Sequence, residues 1–161
     1  MRNTLTIRND KLIQEKRHDV FPTKGGLPDP TQCTVCGAVY AKGRWTWASV
    51  DGKARQTTCP ACRRIAGNFP AGYIEMGGAF FEARKDEILN LVHNMEKVEK
   101  NAHPLERIIE ITSNEQKTLI TTTGIHIARR IGEAISRAYQ GEYAIQYADG
   151  EKRIRISWQR D

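Results

Sequence analysis

The chain has 161 residues and a mass of 18.3 kDa, room for one ordinary domain or two small ones and not for a large multi-domain machine. Hydrophobic residues make up 39% and aromatics 7%, and charge interrupts the longer apolar stretches every few positions, which excludes a span of about 20 apolar residues across a bilayer. Lys and Arg number 25 against 19 Asp and Glu, and the excess is local, with 6 basic and 1 acidic group in residues 33–72 but 4 and 6 in 73–104.

Residues 1–32 read as an N-terminal arm. Arg2, Arg8, Asp10, Lys11, Glu15, Lys16 and Arg17 leave no uninterrupted apolar run there, so no secretory signal is expected and the cytoplasm is the expected compartment. Asp10 to Arg17 is at best a short helix. Phe21 to Pro30 holds three prolines and two glycines in ten residues, the composition of a mobile linker that can order on a partner.

Residues 33–72 carry all 4 cysteines, as Cys33-Thr-Val-Cys36-Gly37 and Cys59-Pro-Ala-Cys62 with 22 residues between the pairs. Two residues between ligands let a tight knuckle aim both sulfurs at one ion, and two knuckles complete a closed tetrahedral zinc site. The alternatives are a two-bridge disulfide framework, which needs an oxidising compartment, and a redox pair at Cys59 and Cys62, which leaves Cys33 and Cys36 unexplained. Zinc would supply most of the folding energy of so small a module, on the order of 10 to 16 kcal/mol.

Between the knuckles, Trp45 to Val50 and Lys53 to Thr57 flank Asp51-Gly52, which predicts a hairpin turned at that dipeptide. Lys42, Arg44, Lys53, Arg55, Arg63 and Arg64 surround the ligands, with Trp45 and Trp47 interleaved. Cations that neutralise phosphates beside indoles that stack on bases suit a nucleic-acid surface. The bland alternatives are a solvated basic face and, for the two indoles on one strand face, a miniature core.

Residues 73–104 predict a connector. Phe81, Ile88, Leu91, Val92, Met95 and Val98 form one apolar stripe of a long helix, with Glu82, Asp86 and Glu87 near its start and Lys97 and Lys100 near its end, as the helix dipole favours. Met76-Gly77-Gly78 reads as a turn, without the spacing of a phosphate loop.

Residues 105–161 predict strand, strand, helix, strand, strand. Leu105 to Thr112 and Lys117 to Thr123 are β-prone, Ile127, Ile131, Ile135 and Ala138 mark a helical stripe, and Tyr143 to Tyr147 and Arg153 to Trp158 alternate around Asp149-Gly150. The fold expected is therefore α+β: a four-cysteine zinc ribbon joined by a long helix to a small antiparallel ββαββ domain. Arg129 and Arg130 on the helix and Arg153 and Arg155 on the sheet extend the candidate RNA-binding set. Thr121-Thr-Thr-Gly124 precedes the helix either as an anion contact or as its N-cap. The four histidines, His18, His93, His103 and His126, fall in no metal or triad spacing, and no catalytic residue or small-molecule substrate is expected.

Cys33-x-x-Cys36-Gly37, Gly43-Arg-Trp45, Cys59-Pro-Ala-Cys-Arg-Arg64, Pro70-Ala-Gly72, His103-Pro-Leu-Glu-Arg107 and Thr121-Thr-Thr-Gly-Ile-His126 through Arg129-Arg-Ile-Gly-Glu133 together resemble an uncharacterised family of small bacterial zinc-ribbon proteins, over most of the chain. That family is more remotely similar to the N-terminal zinc region of the archaeal and eukaryotic large-subunit export adaptor associated with nonsense-mediated decay. The resemblance implies association with the ribosome or its RNA. The adaptor's extra zinc-ligand cysteines and its domains with nuclear export signals have no counterpart here, so nuclear export is not implied. The function expected is a non-enzymatic zinc ribbon binding RNA, foremost rRNA on the ribosome or a subunit. The alternative is a protein-protein adaptor or transcription accessory factor.

Overall fold

The computed structural model describes residues 27–50 and 52–161. The helix and linker expected before Leu27, and Asp51 of the expected turn, lie outside them.

A small sheet opens the described chain, with β1 (Thr31–Cys33), β2 (Val39–Ala41), β3 (Arg44–Thr46) and β4 (Arg55–Thr57) in the order β3-β2-β1-β4. Among the described residues β3 and β4 do not pair with each other, as the hairpin expected at Asp51-Gly52 requires. The chain instead turns at Lys42 and Gly43, whose φ values of 54° and 83° meet the demand of a two-residue turn for positive φ at both central positions. Tyr40 is thereby paired with Trp45, and their rings meet edge to face at 5.5 Å. β4 lies parallel to β1, with Thr57 beside Cys33.

Helix α1 (Pro60–Gly67) follows at once. Cys59 is its N-cap, Pro60 occupies the first helical position, where its missing N–H costs nothing, and Asn68 ends it in the left-handed region, returning its N–H to the carbonyls of Arg64 and Ile65.

The larger sheet holds five strands in the order β6-β7-β5-β9-β8: β5 (Gly72–Gly77), β6 (Ile108–Ser113), β7 (Lys117–Thr122), β8 (Glu142–Ala148) and β9 (Arg153–Gln159). It departs from the expected antiparallel ββαββ arrangement. β5, from the stretch read as connector and turn, is the central strand, antiparallel to β7 and parallel to β9. Its Ile74 and Met76 are buried while Tyr73 and Glu75 are not, so four alternating residues between glycines make a core strand.

The expected long helix is two, α2 (Ala79–Ala83) and α3 (Lys85–Ala102), parted at Arg84. Neither is a free connector, because Phe81, Ile88 and Val92 share one core with Ile120, Ile154, Ile156 and Trp158 of the sheet and with Ile127, Ile131 and Ile135 of α4 (Ile125–Tyr139). The buried stripe of α3 ends on Glu99, and Val98, expected within it, is 62% exposed. The structure is thus a mixed α and β fold with two sheets and, among the described residues, four helices. No described helix is long and apolar enough to cross a membrane.

Candidate metal centre

The parallel pairing of β4 with β1 brings the two cysteine pairs together. With Thr57 beside Cys33, Cys59 enters α1 against the first knuckle, and its N–H donates to Cys33 Sγ at 3.2 Å. The first knuckle closes around the same sulfur, which accepts from Val35 N–H at 3.4 Å and Cys36 N–H at 3.5 Å. Gly37 makes this turn possible, because its φ of +86° belongs to the region that residues with a side chain rarely enter. In the second knuckle Cys59 Sγ accepts from Cys62 N–H at 3.4 Å.

The four Sγ atoms lie within 4.8 Å of one another, and the Cys33–Cys62 and Cys36–Cys59 sulfurs are 3.8 Å apart. A tetrahedron with metal–sulfur bonds of about 2.3 Å has edges of about 3.8 Å. The four thiols are unbridged, and Cys33, Cys59 and Cys62 are buried. The donors therefore fit a single soft, tetrahedral metal ion, zinc among them.

Their protonation shows how much charge the site concentrates. Burial opposes ionisation of Cys33, yet N–H donors from Cys36, Cys59 and Val35 bring its thiol down to about 6. Burial, reinforced by the neighbouring thiolates, pushes Cys59 up, and burial outweighs Arg107 to raise Cys62. A cation at the centre relieves that repulsion.

One cation is supplied from far along the chain. Arg107 is 6% exposed, and its Nη2 donates to Cys36 Sγ at 3.2 Å and Cys59 Sγ at 3.3 Å while Nη1 donates to Cys62 Sγ at 3.4 Å. Nε donates to the Pro104 carbonyl at 2.8 Å, and the backbone N–H is held by Thr123 Oγ1 at 2.8 Å. Burial works against the guanidinium's charge, but the thiolates raise its pKa. The sequence gives Arg107 no role at the cysteine cluster, since no spacing rule ties a lone arginine to cysteines in another part of the chain. Its signal was chemical: the surplus charge of four thiolates around a divalent ion calls for an outer-shell donor.

Glu106 and Thr123 resolve the choice left open at the start of α4. The N-cap is Gly124, with no side-chain cap of its own. Glu106 Oε1 accepts from Ile127 N–H at 2.9 Å, Thr122 Oγ1 donates to the Gly124 carbonyl, and Thr123 Oγ1 donates to the Leu105 carbonyl. A carboxylate therefore occupies this helix start, where the sequence suggested a threonine cap or an anion.

The expected RNA contacts do not make one surface. Trp45 is buried in the small core with Tyr40, so it is no exposed stacking platform. Lys42, Arg44, Lys53, Arg55 and Arg63 are exposed and Arg64 half-buried. Arg64 donates to the Phe69 carbonyl at 3.0 Å and Arg63 to Thr57 Oγ1 at 3.2 Å, which sets Arg63 beside the β4 strand of Arg55. Arg44 stands on the opposite edge strand. On the larger sheet Arg153 and Arg155 project from the face opposite the core. Arg153 pairs with Asp149 at 3.1 Å and Arg155 covers the Tyr73 ring at 4.5 Å. Arg129 and Arg130 belong to α4, on the other side, with Arg129 over Tyr147 and Arg130 against Glu99.

No protein-family model, curated protein or solved structure matches this chain.

Proposed function

We infer that the chain is a non-enzymatic zinc-ribbon protein of the cytoplasm that binds RNA, with ribosomal RNA on the ribosome or a subunit as its target. Zinc is the metal that best suits four thiolates on tetrahedral edges, and a filled four-cysteine site leaves no position for a reacting water. Its role is then to hold the knuckles and the basic residues around them.

The observation that carries the RNA reading is electrostatic. Lys42, Arg44, Lys53, Arg55 and Arg63 are exposed, and none is paired with a carboxylate among the described residues. Unneutralised cations next to a rigid metal knuckle suit phosphate binding. The resemblance to ribosome-associated zinc regions supports the choice of rRNA. Pull-down of the tagged protein, with sequencing of bound RNA and mass spectrometry of bound proteins, tests the reading; recovery of rRNA and ribosomal proteins is the expected result.

Val35, Phe69 and Ile65, at 68%, 50% and 37% exposure, favour a second reading, in which the same module grips a partner protein as an adaptor. Recovery of one protein with no enriched RNA would put that reading first.

A further inference from the structure

Glu99 stands where the buried stripe of α3 calls for an apolar residue. Ile88 and Val92 precede it on that face, with Met95 half-buried between, and a polar residue at a core position is an error of patterning unless it has a function. Its side chain is 8% exposed, and its polar partner among the described residues is Arg130, whose Nη1 lies 3.7 Å from Oε2. A carboxylate offers about four acceptor sites, so one long ion pair leaves most of them unused. Burying a charge with so loose a partner is costly.

Glu99 and Arg130 line a cleft of about 430 Å³ together with Trp45, His103, Leu105 and His126, within the range of roughly 300 to 1,000 Å³ usual for ligand sites. Its walls come from the small sheet, α3, the segment before β6, and α4. Trp45 and Glu99 are buried, Leu105 is half-buried, and His103, His126 and Arg130 are exposed, so the interior is aromatic, apolar and acidic while the rim carries an arginine and two imidazoles. Glu106 also borders the cleft, but its Oε1 is engaged by Ile127 N–H. Glu99 is thus the carboxylate with capacity for a guest.

A guest that satisfies both oxygens of a carboxylate must offer two adjacent N–H donors. An arginine guanidinium does so, and so does the N1–H and 2-amino edge of guanine. Arg130 decides between them. A second guanidinium would be set against a like charge, whereas neutral guanine carries an O6 acceptor beside its two donors for Arg130 to reach. Adenine, cytosine and uracil lack two adjacent donors on that edge. Trp45 and Leu105 give the cleft an apolar lining that suits an unstacked base.

We propose that this cleft binds an unpaired guanine base, with Glu99 accepting from N1–H and the 2-amino group and Arg130 donating to O6. The base belongs either to a single RNA strand, in which case the proposal rests on the RNA reading above, or to a free nucleotide.

Titration of the metal-replete full chain with guanosine and adenosine monophosphates, and with the strands r(AAGAA) and r(AAAAA), tests it by calorimetry and by tryptophan fluorescence. The guanine probe of each pair is expected to bind about tenfold tighter or better, the discrimination of one good bidentate contact. Glu99→Gln keeps the shape but replaces an acceptor with a donor, and the preference should shrink to less than about threefold with an unchanged circular dichroism spectrum. Arg130→Ala, at an exposed position, should weaken the guanine probes several-fold and leave the adenine probes unmoved.

A preference between the mononucleotides alone assigns the site to free nucleotide, and a preference between the strands assigns it to RNA. Equal binding of guanine and adenine probes, a preference that survives Glu99→Gln, or tighter binding of N-acetyl-arginine amide than of guanosine monophosphate would overturn the proposal. Strands that bind in a salt-dependent way without base preference sink the cleft and leave the RNA reading standing. A mononucleotide preference with no strand binding does the reverse.

Discussion

Arg107 Nη2 donates to Cys36 Sγ at 3.2 Å across 71 positions of sequence. Through this contact and those to Cys59 and Cys62, the cysteine module is joined to the segment that leads into β6, an edge strand of the larger sheet. Outer-shell partners of this kind typically change metal affinity by about 10- to 100-fold. Arg107→Ala should therefore lose zinc to a competing chelator at a proportionately lower chelator concentration. Arg107→Lys should recover little of the loss, because a point charge cannot serve three sulfurs as a planar fork does. Unchanged competition curves for both variants would reduce Arg107 to a strut.

About one zinc ion per chain should copurify, held by Cys33, Cys36, Cys59 and Cys62, and metal analysis decides it. A folded, metal-free protein with four freely titrating thiols would refute the assignment, as would turnover of a disulfide substrate.

Cys59→Ala should unfold the small module and spare the larger one, since the buried residues fall into two separate clusters. Among the described residues the ties between them include Arg107, Leu105 packed on the small core, and Trp47 Nε1 donating to the Lys100 carbonyl at 2.7 Å. Amide exchange should show protection lost over residues 31–67 and retained in β5, β7, β9 and α4. Loss in both regions would mean one cooperative unit.

RNA binding, if it runs through the cations of the small module, should weaken with salt. With about four phosphate contacts the slope of log K against log salt is on the order of −3. The sharpest variant is Arg55→Glu with Arg63→Glu, two exposed neighbours, because Arg64 is half-buried and already bonded to the Phe69 carbonyl. Lys97→Glu with Lys100→Glu on α3 is the control. Co-sedimentation with ribosomes at two salt concentrations compares them, and equal sedimentation of the Arg55/Arg63 variant and the parent would make the basic residues a solvated surface.

Tyr143 offers a stability test away from the cysteine cluster. Its hydroxyl is buried with no hydrogen-bond partner among the described residues, and burial, helped by Glu133 and Tyr147, pushes its pKa up to about 12. An unfolded tyrosine ionises near 10, so the native state holds this proton more tightly and its stability falls as pH rises from about 10 toward 12. Tyr143→Phe should be as stable as the parent at about pH 7 or more stable by up to about 1 kcal/mol. It should also lose less stability over the alkaline interval, measured by denaturant unfolding. A variant that is less stable near neutral pH would mean that the hydroxyl is satisfied.

Four cysteines in two close pairs marked the candidate metal ligands by themselves, because chelate spacing is a local property of the chain and only a tight knuckle satisfies it, whereas the pairing of β4 with β1 brought the two knuckles together. Helix α4 and the pair β8 and β9 were legible for the same reason, their periodicities of about 3.6 and 2 being written in consecutive residues. The tertiary structure decided what depends on distant partners. β5 became a central strand because β7 and β9 were there to pair with it, and the hairpin moved to Lys42-Gly43 because β4 found a parallel neighbour in β1. Arg107 reached the sulfurs, Glu106 capped α4, and Glu99 was carried into a cleft beside Trp45. Each of these side chains is ordinary in sequence, since the desolvation and opposite charge that give it a role come from segments that only folding brings near.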